Sequence, residues 1–218
     1  MPGCLLLLGG SFDPVHSGHV ALAKHFCALF NTQSVRLIPA GNPWQKKPLL
    51  SSGTERIAML QEAFADSGLT VSIDTQEIER TGATYSVDTL LNIRREVGNK
   101  CPIIFIMGAD QLAKLNTWHR WQDILKLTSL AVTTRPGAPD PLEDLPEILA
   151  QTIVPRIADS QTLTSTPYGK ILIDRTLHLD VSSTQIRQAL ADGKDVRQWL
   201  PPTVLAYIKA HKLYRKPK

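Results

Sequence analysis

Apolar runs alternate with amphipathic stretches along the 218-residue chain, and the alternation reads as strand, helix, strand, helix. The first run, Cys4 to Leu8, is short and continuous, as in a strand covered on both faces. Val20 to Phe30 then spaces its apolar residues as a helix does. Ser34 to Pro39 (SVRLIP) predicts a second strand, followed by a loop, Ala40 to Ser52, rich in Gly, Pro, Trp and Lys. Thr54 can cap a helix running to about Ser67, with Ile57, Met59, Leu60, Ala63 and Phe64 inward and Gly68 as its stop. Leu69 to Ile73 predicts a third strand, Glu77 to Arg80 a short extended piece, and Tyr85 to Val97 a helix turning Val87, Leu90, Leu91 and Ile93 inward.

Pro102 to Met107 (PIIFIM) is the most apolar run and therefore a central strand. Helical segments around Gln111 to Leu115 and Trp121 to Leu125 lead to a strand at Ser129 to Thr134. The composition changes over Arg135 to Pro155, where Pro136, Pro139, Pro141, Pro146 and Pro155 stand among Asp and Glu. This reads as a surface excursion with one short helix at Leu145 to Gln151. Lys170 to Ile173 and Leu177 to Leu179 read as short strands, Gln185 to Ala191 as a helix stopped by Gly193, and Pro202 or Thr203 opens a last helix through His211. Lys212 to Lys218 reads as a basic, solvated tail. The pattern predicts an α/β fold: a Rossmann-like parallel sheet of about five or six strands, helices on both faces and a helical C-terminal part, with 1–218 as a single domain.

Composition narrows the function classes only a little. With 43% hydrophobic and 20% charged residues the chain has the make-up of a soluble globular protein. A net charge of +4 suits a polyanionic ligand without singling one out. No run is long enough to span a bilayer, and the first lacks a positively charged leader. Cys4, Cys27 and Cys101 are too scattered for a zinc-type pair or a disulfide framework, so they read as reduced thiols and the protein as cytoplasmic.

The chemistry concentrates in Gly9 to His19 (GGSFDPVHSGH), a turn from the first strand into the first helix. Ligands bind at such turns in open parallel sheets, and glycines let backbone N–H groups approach a phosphate at a helix start. Gly9, Gly10 and Gly18 are placed for this. His16 and His19 lie one helical turn apart, so both imidazoles can face the anion if the helix begins near Ser17. A lone histidine here reads better as a helix cap or a surface residue; two sharing a Gly-rich turn favour phosphate chemistry. Ser182-Ser183-Thr184 with Arg187 offers hydroxyls, N–H groups and a guanidinium at another helix start, or simply a cap with a solvated arginine. Asp110, after Gly108, can likewise be a helix cap. Trp118 and Trp121 can be core aromatics.

This wording, His-x-Gly-His behind Gly-Gly-x-Phe-Asp-Pro, resembles the nucleotidylyltransferase superfamily and, within it, the bacterial nicotinate-nucleotide adenylyltransferases, which join nicotinate mononucleotide to ATP. The resemblance implies that Gly9, Gly10, Ser11, Phe12 and Gly18 belong to the ATP site and that His16 and His19 act on its phosphates, with His19 nearest the developing charge. It places Ser182, Ser183, Thr184 and Arg187 on the pyrophosphate end, and Gly108 and Asp110 at the ATP ribose. Where the family has a Pro-Pro-His-Lys-like loop, this chain has Pro43-Trp44-Gln45-Lys46, which keeps Lys46 as a phosphate partner and lacks the histidine. Thr84, Tyr85 and Trp118 are implied for the acceptor, Trp118 stacking on the pyridine ring, and Arg135 for the acceptor phosphate. Mg²⁺ would travel with the ATP phosphates. The implied partners are ATP and nicotinate mononucleotide, with no nucleic acid and no membrane. Two alternatives stay open: a sister enzyme using nicotinamide mononucleotide or another phosphorylated acceptor, and a nucleotide- or RNA-binding module without chemistry.

Overall fold

Each continuous apolar run becomes a strand with both faces covered. The computed structural model describes residues 3–42, 49–134, 137, 139–143, 145–177 and 180–215. In chain order the elements are β1 (Leu5–Gly10), α1 (Ser17–Leu29), β2 (Ser34–Pro39), α2 (Gly53–Phe64), β3 (Thr70–Ile73), α3 (Gln76–Glu79), α4 (Ser86–Val97), β4 (Ile103–Gly108), α5 (Ala109–Leu112), α6 (Trp121–Ile124), β5 (Ser129–Thr133), α7 (Glu147–Ile153), α8 (Ser160–Ser165), β6 (Ile171–Asp174), α9 (Ser183–Ala191) and α10 (Pro202–Ala210). All six strands pair in parallel in the order β3-β2-β1-β4-β5-β6. Leu6 sits between Val35 of β2 and Ile104 of β4. The chain winds outward from β1 to β3, returns to lay β4 beside β1, and winds the other way. That reversal leaves a crevice beyond the carboxyl ends of β1 and β4, where parallel α/β sheets bind ligands.

Strand alternation divides the core in two. Leu6, Leu8, Ile104 and Ile106 face one side, where they meet Phe26 of α1, Met59 and Leu60 of α2, Ile186 of α9 and Val204 of α10. Leu7, Ile103, Phe105 and Met107 face the other, against Val87, Leu90 and Ile93 of α4 and Leu149 and Ile153 of α7. These residues are almost wholly buried, and truncating one such leucine or isoleucine to alanine costs about 2–5 kcal/mol. The sheet is therefore a rigid floor for whatever its carboxyl edge carries.

Several expectations from the sequence change. Glu77 to Arg80 is not extended: Asp74 Oδ1 accepts the Gln76 N–H (3.2 Å) right after β3 and turns the chain into α3. The cap of α2 is Ser52, not Thr54. Its hydroxyl accepts from Glu55 N (3.2 Å) while Glu55 Oε2 accepts from Ser52 N (2.7 Å), a reciprocal box that satisfies two helix-end donors. The stretch after β5 is more than a surface excursion, because α7 buries Leu149 and Ile153 completely. Helix α8, six residues with a single inward Leu163, has no counterpart in the sequence reading. Leu177 is not in a strand, and His178 and Leu179 lie outside the described residues. Finally, the basic end is not all solvated: Tyr214 is buried. No described helix is long and apolar enough to cross a membrane.

Candidate active site

The crevice between β1 and β4 opens into a cleft of about 1070 Å³. Gly9, Gly10, Ser11, His16, Gly18, His19, Gly108, Asp110, Ser182, Ser183, Thr184 and Arg187 line it, and so do Thr84, Tyr85 and Trp118. Three sequence candidates stand apart. Phe12 is fully buried and does not line the cleft. Lys46 and Arg135 lie outside the described residues.

The histidine turn is held by close packing. A Cβ on Gly9 would come 2.9 Å from the Phe105 ring, and one on Gly18 would come 2.6 Å from Val181 Cγ1, so only glycine lets the segment before α9 close over the start of α1. Ser17 N donates to Trp199 O (2.8 Å), seating that helix start on the C-terminal part of the chain. His16 N donates to His19 Nδ1 (3.2 Å), so a neutral His19 carries its proton on Nε2. The two imidazoles stack at 3.7 Å and 31°, and the Phe12 ring meets His19 edge-on at 4.9 Å. Phe12 takes a left-handed backbone (φ 49°), uncommon for a bulky residue, and thereby places its ring under His19. The arrangement fixes one N–H donor, His19 Nε2, at the cleft wall.

Within this turn, and also lining the cleft, stands Asp13, which the sequence reading did not single out. Its carboxylate accepts from Leu50 N (2.8 Å), Ser51 N (3.2 Å), Ser51 Oγ (2.7 Å) and Tyr214 Oη (2.7 Å). The Ser51 and Tyr214 hydroxyls also touch each other. Arg56, itself buried, donates through Nη1 to Ser11 O (3.0 Å). Burial lowers the Arg56 pKa against the pull of nearby Asp13.

Helix α9 docks on the same turn. Ser182 caps it by accepting from Gln185 N (3.2 Å), Ser183 Oγ donates to Pro14 O (2.9 Å), and Ile186 is fully buried. Arg187 Nη1 donates to Asp13 O (2.6 Å) and Nη2 to Thr184 Oγ1 (3.1 Å). Two serine hydroxyls are thus committed to capping and docking. What α9 presents to the cleft is its first-turn N–H groups, the Thr184 hydroxyl and the guanidinium, a cationic, donor-rich surface suited to an anion. Gly108 is the N-cap of α5 without a side-chain cap, and Asp110 is exposed, taking Gln111 Nε2 at 2.8 Å. A Cβ on Gly108 would come 2.6 Å from Asp110 Oδ1.

The other end of the cleft is less saturated. Thr84 N donates to Asn42 O (3.2 Å), yet among the described residues its Oγ1 is buried without a partner, as is Trp118 Nε1. Trp118 packs on the second core cluster and lines the cleft, whereas Trp121 only packs. Tyr85 is the N-cap of α4 and gives it no side-chain cap, so a ligand at this helix start would face backbone N–H groups. His119, also overlooked in the sequence, lies against Tyr85 with ring centroids 4.4 Å apart; adjacency to Trp118 was its only signal. Buried Glu77 accepts from Thr89 Oγ1 (2.9 Å); burial pushes its pKa up, against that bond and one from the Gly41 backbone. A Cβ on Gly41 would fall 1.9 Å from Glu77 O, so glycine is required where the loop after β2 crosses α3.

A family model described as cytidylyltransferase-like matches residues 7–189. A protein of Herminiimonas arsenicoxydans named "Probable nicotinate-nucleotide adenylyltransferase" is 46% identical over 212 residues, covering 97% of each chain. One of Dechloromonas aromatica (strain RCB) with the same name is 40% identical over 210 residues, covering 96% of each. Among solved structures, Plasmodium falciparum nicotinic acid mononucleotide adenylyltransferase complexed with NaAD has a TM-score of 0.71 at 16% identity, with 96% of each chain covered, which establishes a shared fold.

Proposed function

Because the chain belongs to the nicotinate-nucleotide adenylyltransferases of the cytidylyltransferase-like family, we propose that it transfers the adenylyl group of ATP to nicotinate mononucleotide, in NAD biosynthesis. The acceptor phosphate oxygen attacks the α-phosphorus, the bond to the bridging oxygen breaks, and deamido-NAD and pyrophosphate leave. Such a reaction asks the protein for in-line positioning and for donors aimed at the charge that develops. His19 Nε2–H, beside His16, serves the reacting phosphate, and the backbone of Gly9 to Phe12 with Gly18 cradles it. Ser182, Ser183, Thr184 and Arg187 hold the departing pyrophosphate, and Lys46 meets the triphosphate from the loop after β2. Gly108 allows close approach while Asp110 takes the ribose hydroxyls.

The observation that carries this reading is one cleft with two unlike ends, a donor-rich one at α9 and one at α4 whose buried Thr84 hydroxyl and Trp118 indole N–H have no partner among the described residues. In the second, Trp118 stacks on the pyridine, the N–H groups at Tyr85 and the Thr84 hydroxyl receive its carboxylate, and Arg135 reaches the acceptor phosphate. Mg²⁺ enters bound to the ATP phosphates; among the described residues no group of His, Cys, Asp and Glu forms a metal cage, and the Asp13 oxygens already accept protein donors. Residues 1–218 work as one domain in the cytoplasm, consistent with free, unpaired Cys4, Cys27 and Cys101.

Steady-state kcat/KM measured for ATP with nicotinate and with nicotinamide mononucleotide tests the assignment. The amide turns a donor or a weaker acceptor toward the same N–H groups, a mismatch of roughly 1–3 kcal/mol, so the acid is preferred by about one to two decades. A preference for the amide would sink the acceptor assignment.

A further inference from the structure

Three carbonyls of the histidine turn are gripped from outside it: Ser11 O by Arg56, Asp13 O by Arg187 and Pro14 O by Ser183. The side chain of Asp13 completes the grip, and its partners come from two further places. One is the Leu50–Ser51 bend, where Leu50 also lines the cleft. The other is Tyr214, beyond α10, 201 positions away. Asp13 and Tyr214 are 2% and 9% exposed. Burial pushes the Tyr214 pKa far above the ordinary tyrosine value, so its hydroxyl remains a donor.

We propose that Tyr214 is a positioning residue for adenylyl transfer: by holding Asp13 it keeps the histidine turn, the Leu50–Ser51 bend and Arg187 in the one arrangement that fits the triphosphate. This rests on the function proposed above. Tyr214 touches no substrate in this scheme and acts only through Asp13. Its reach is confined to one end of the cleft, because the hydrogen bonds from Tyr214 lead through Asp13 to Leu50, Ser51 and Arg187, whereas among the described residues the Thr84 hydroxyl and the Trp118 indole N–H have no partner.

Tyr214→Phe removes the hydroxyl and keeps the ring. The expected result is ATP binding weakened about tenfold, as for the loss of one well-placed hydrogen bond to a charged group. The nicotinate mononucleotide dissociation constant should stay within about twofold, and Tm within about 5 °C of the parent. A purely structural tyrosine would instead lower Tm and weaken both substrates alike. Unchanged ATP affinity, or equal losses for the two substrates, overturns the proposal. Were Tyr214→Phe not to fold, Ser51→Ala removes the other hydroxyl on the same carboxylate oxygen and is read by the same two titrations. Direct ATP binding keeps this test separate from the function: a parent protein that releases no pyrophosphate from ATP and nicotinate mononucleotide refutes the reaction, while the parent-to-variant ATP ratio still decides the role of Tyr214.

Discussion

Asp13 accepts four hydrogen bonds from protein donors, whereas across the same cleft the Thr84 hydroxyl and the Trp118 indole N–H are buried and accept or donate none among the described residues. The two ends solve different problems. On the proposed function a triphosphate brings strong charge to the histidine turn and needs donors that do not move when that charge shifts, which a turn tied down beforehand supplies. On the proposed function the other end must tell an acid from an amide, which donors without a partner would do because the wrong ligand leaves them unsatisfied. One end gains from preorganisation, the other from incompleteness.

The strongest way to break the comparison is His19→Ala. If the tied-down end acts on transition-state charge, turnover falls about 100- to 1000-fold while the melting temperature hardly moves, since His19 lies at the cleft wall outside the core. Steady-state rates and thermal melts check this; near-normal turnover would remove the residue from the mechanism.

Thr84→Val sharpens the contrast from the other side. Valine keeps the shape and deletes a buried hydroxyl that has no protein partner, so the free protein should be more stable by about 1 kcal/mol, yet bind the acid acceptor about tenfold more weakly. ATP affinity should not change. Denaturant melts and separate titrations measure both signs, and a variant that loses stability would mean that the hydroxyl is satisfied within the fold.

The smallest effect is a pH dependence at Glu77. Burial raises its carboxyl pKa in the folded state above the ordinary glutamate value of about 4.5, so between the unfolded and folded pKa values the native form holds more protons. Stability therefore falls as pH rises from about 4.5 through the folded pKa, and below that range the group contributes no slope. Glu77→Gln should remove this slope and gain up to about 1 kcal/mol over the parent at pH 7. Parallel pH-stability curves for parent and variant would refute it.

Much of this was legible from sequence because its causes are local. A strand in a parallel sheet buried on both faces must be a continuous apolar run, so β1 and β4 announced themselves, and the histidine turn is eleven consecutive residues. The Ser52 to Glu55 capping box was equally readable and was overlooked. The rest depends on partners that no window contains. Leu50 and Ser51 lie 37 and 38 positions from Asp13, so nothing near Asp13 signalled a buried hub. Tyr214 stands among lysines and an arginine, and only the fold shows that its hydroxyl turns inward. Glu77 stood in the sequence only as the start of a short extended piece, and its partners, Thr89 and the Gly41 backbone, meet it only in the fold.

The bond between Tyr214 and Asp13 also sets an order of events. Bringing together groups 201 positions apart is entropically worthwhile only once the intervening sheet exists, so this fastening closes late in folding. On warming, a segment held by one buried ring and a few hydrogen bonds opens before the strands do. A population of molecules can then carry its full secondary structure while part of it has a slack triphosphate end, and heat will silence the chain before it melts it.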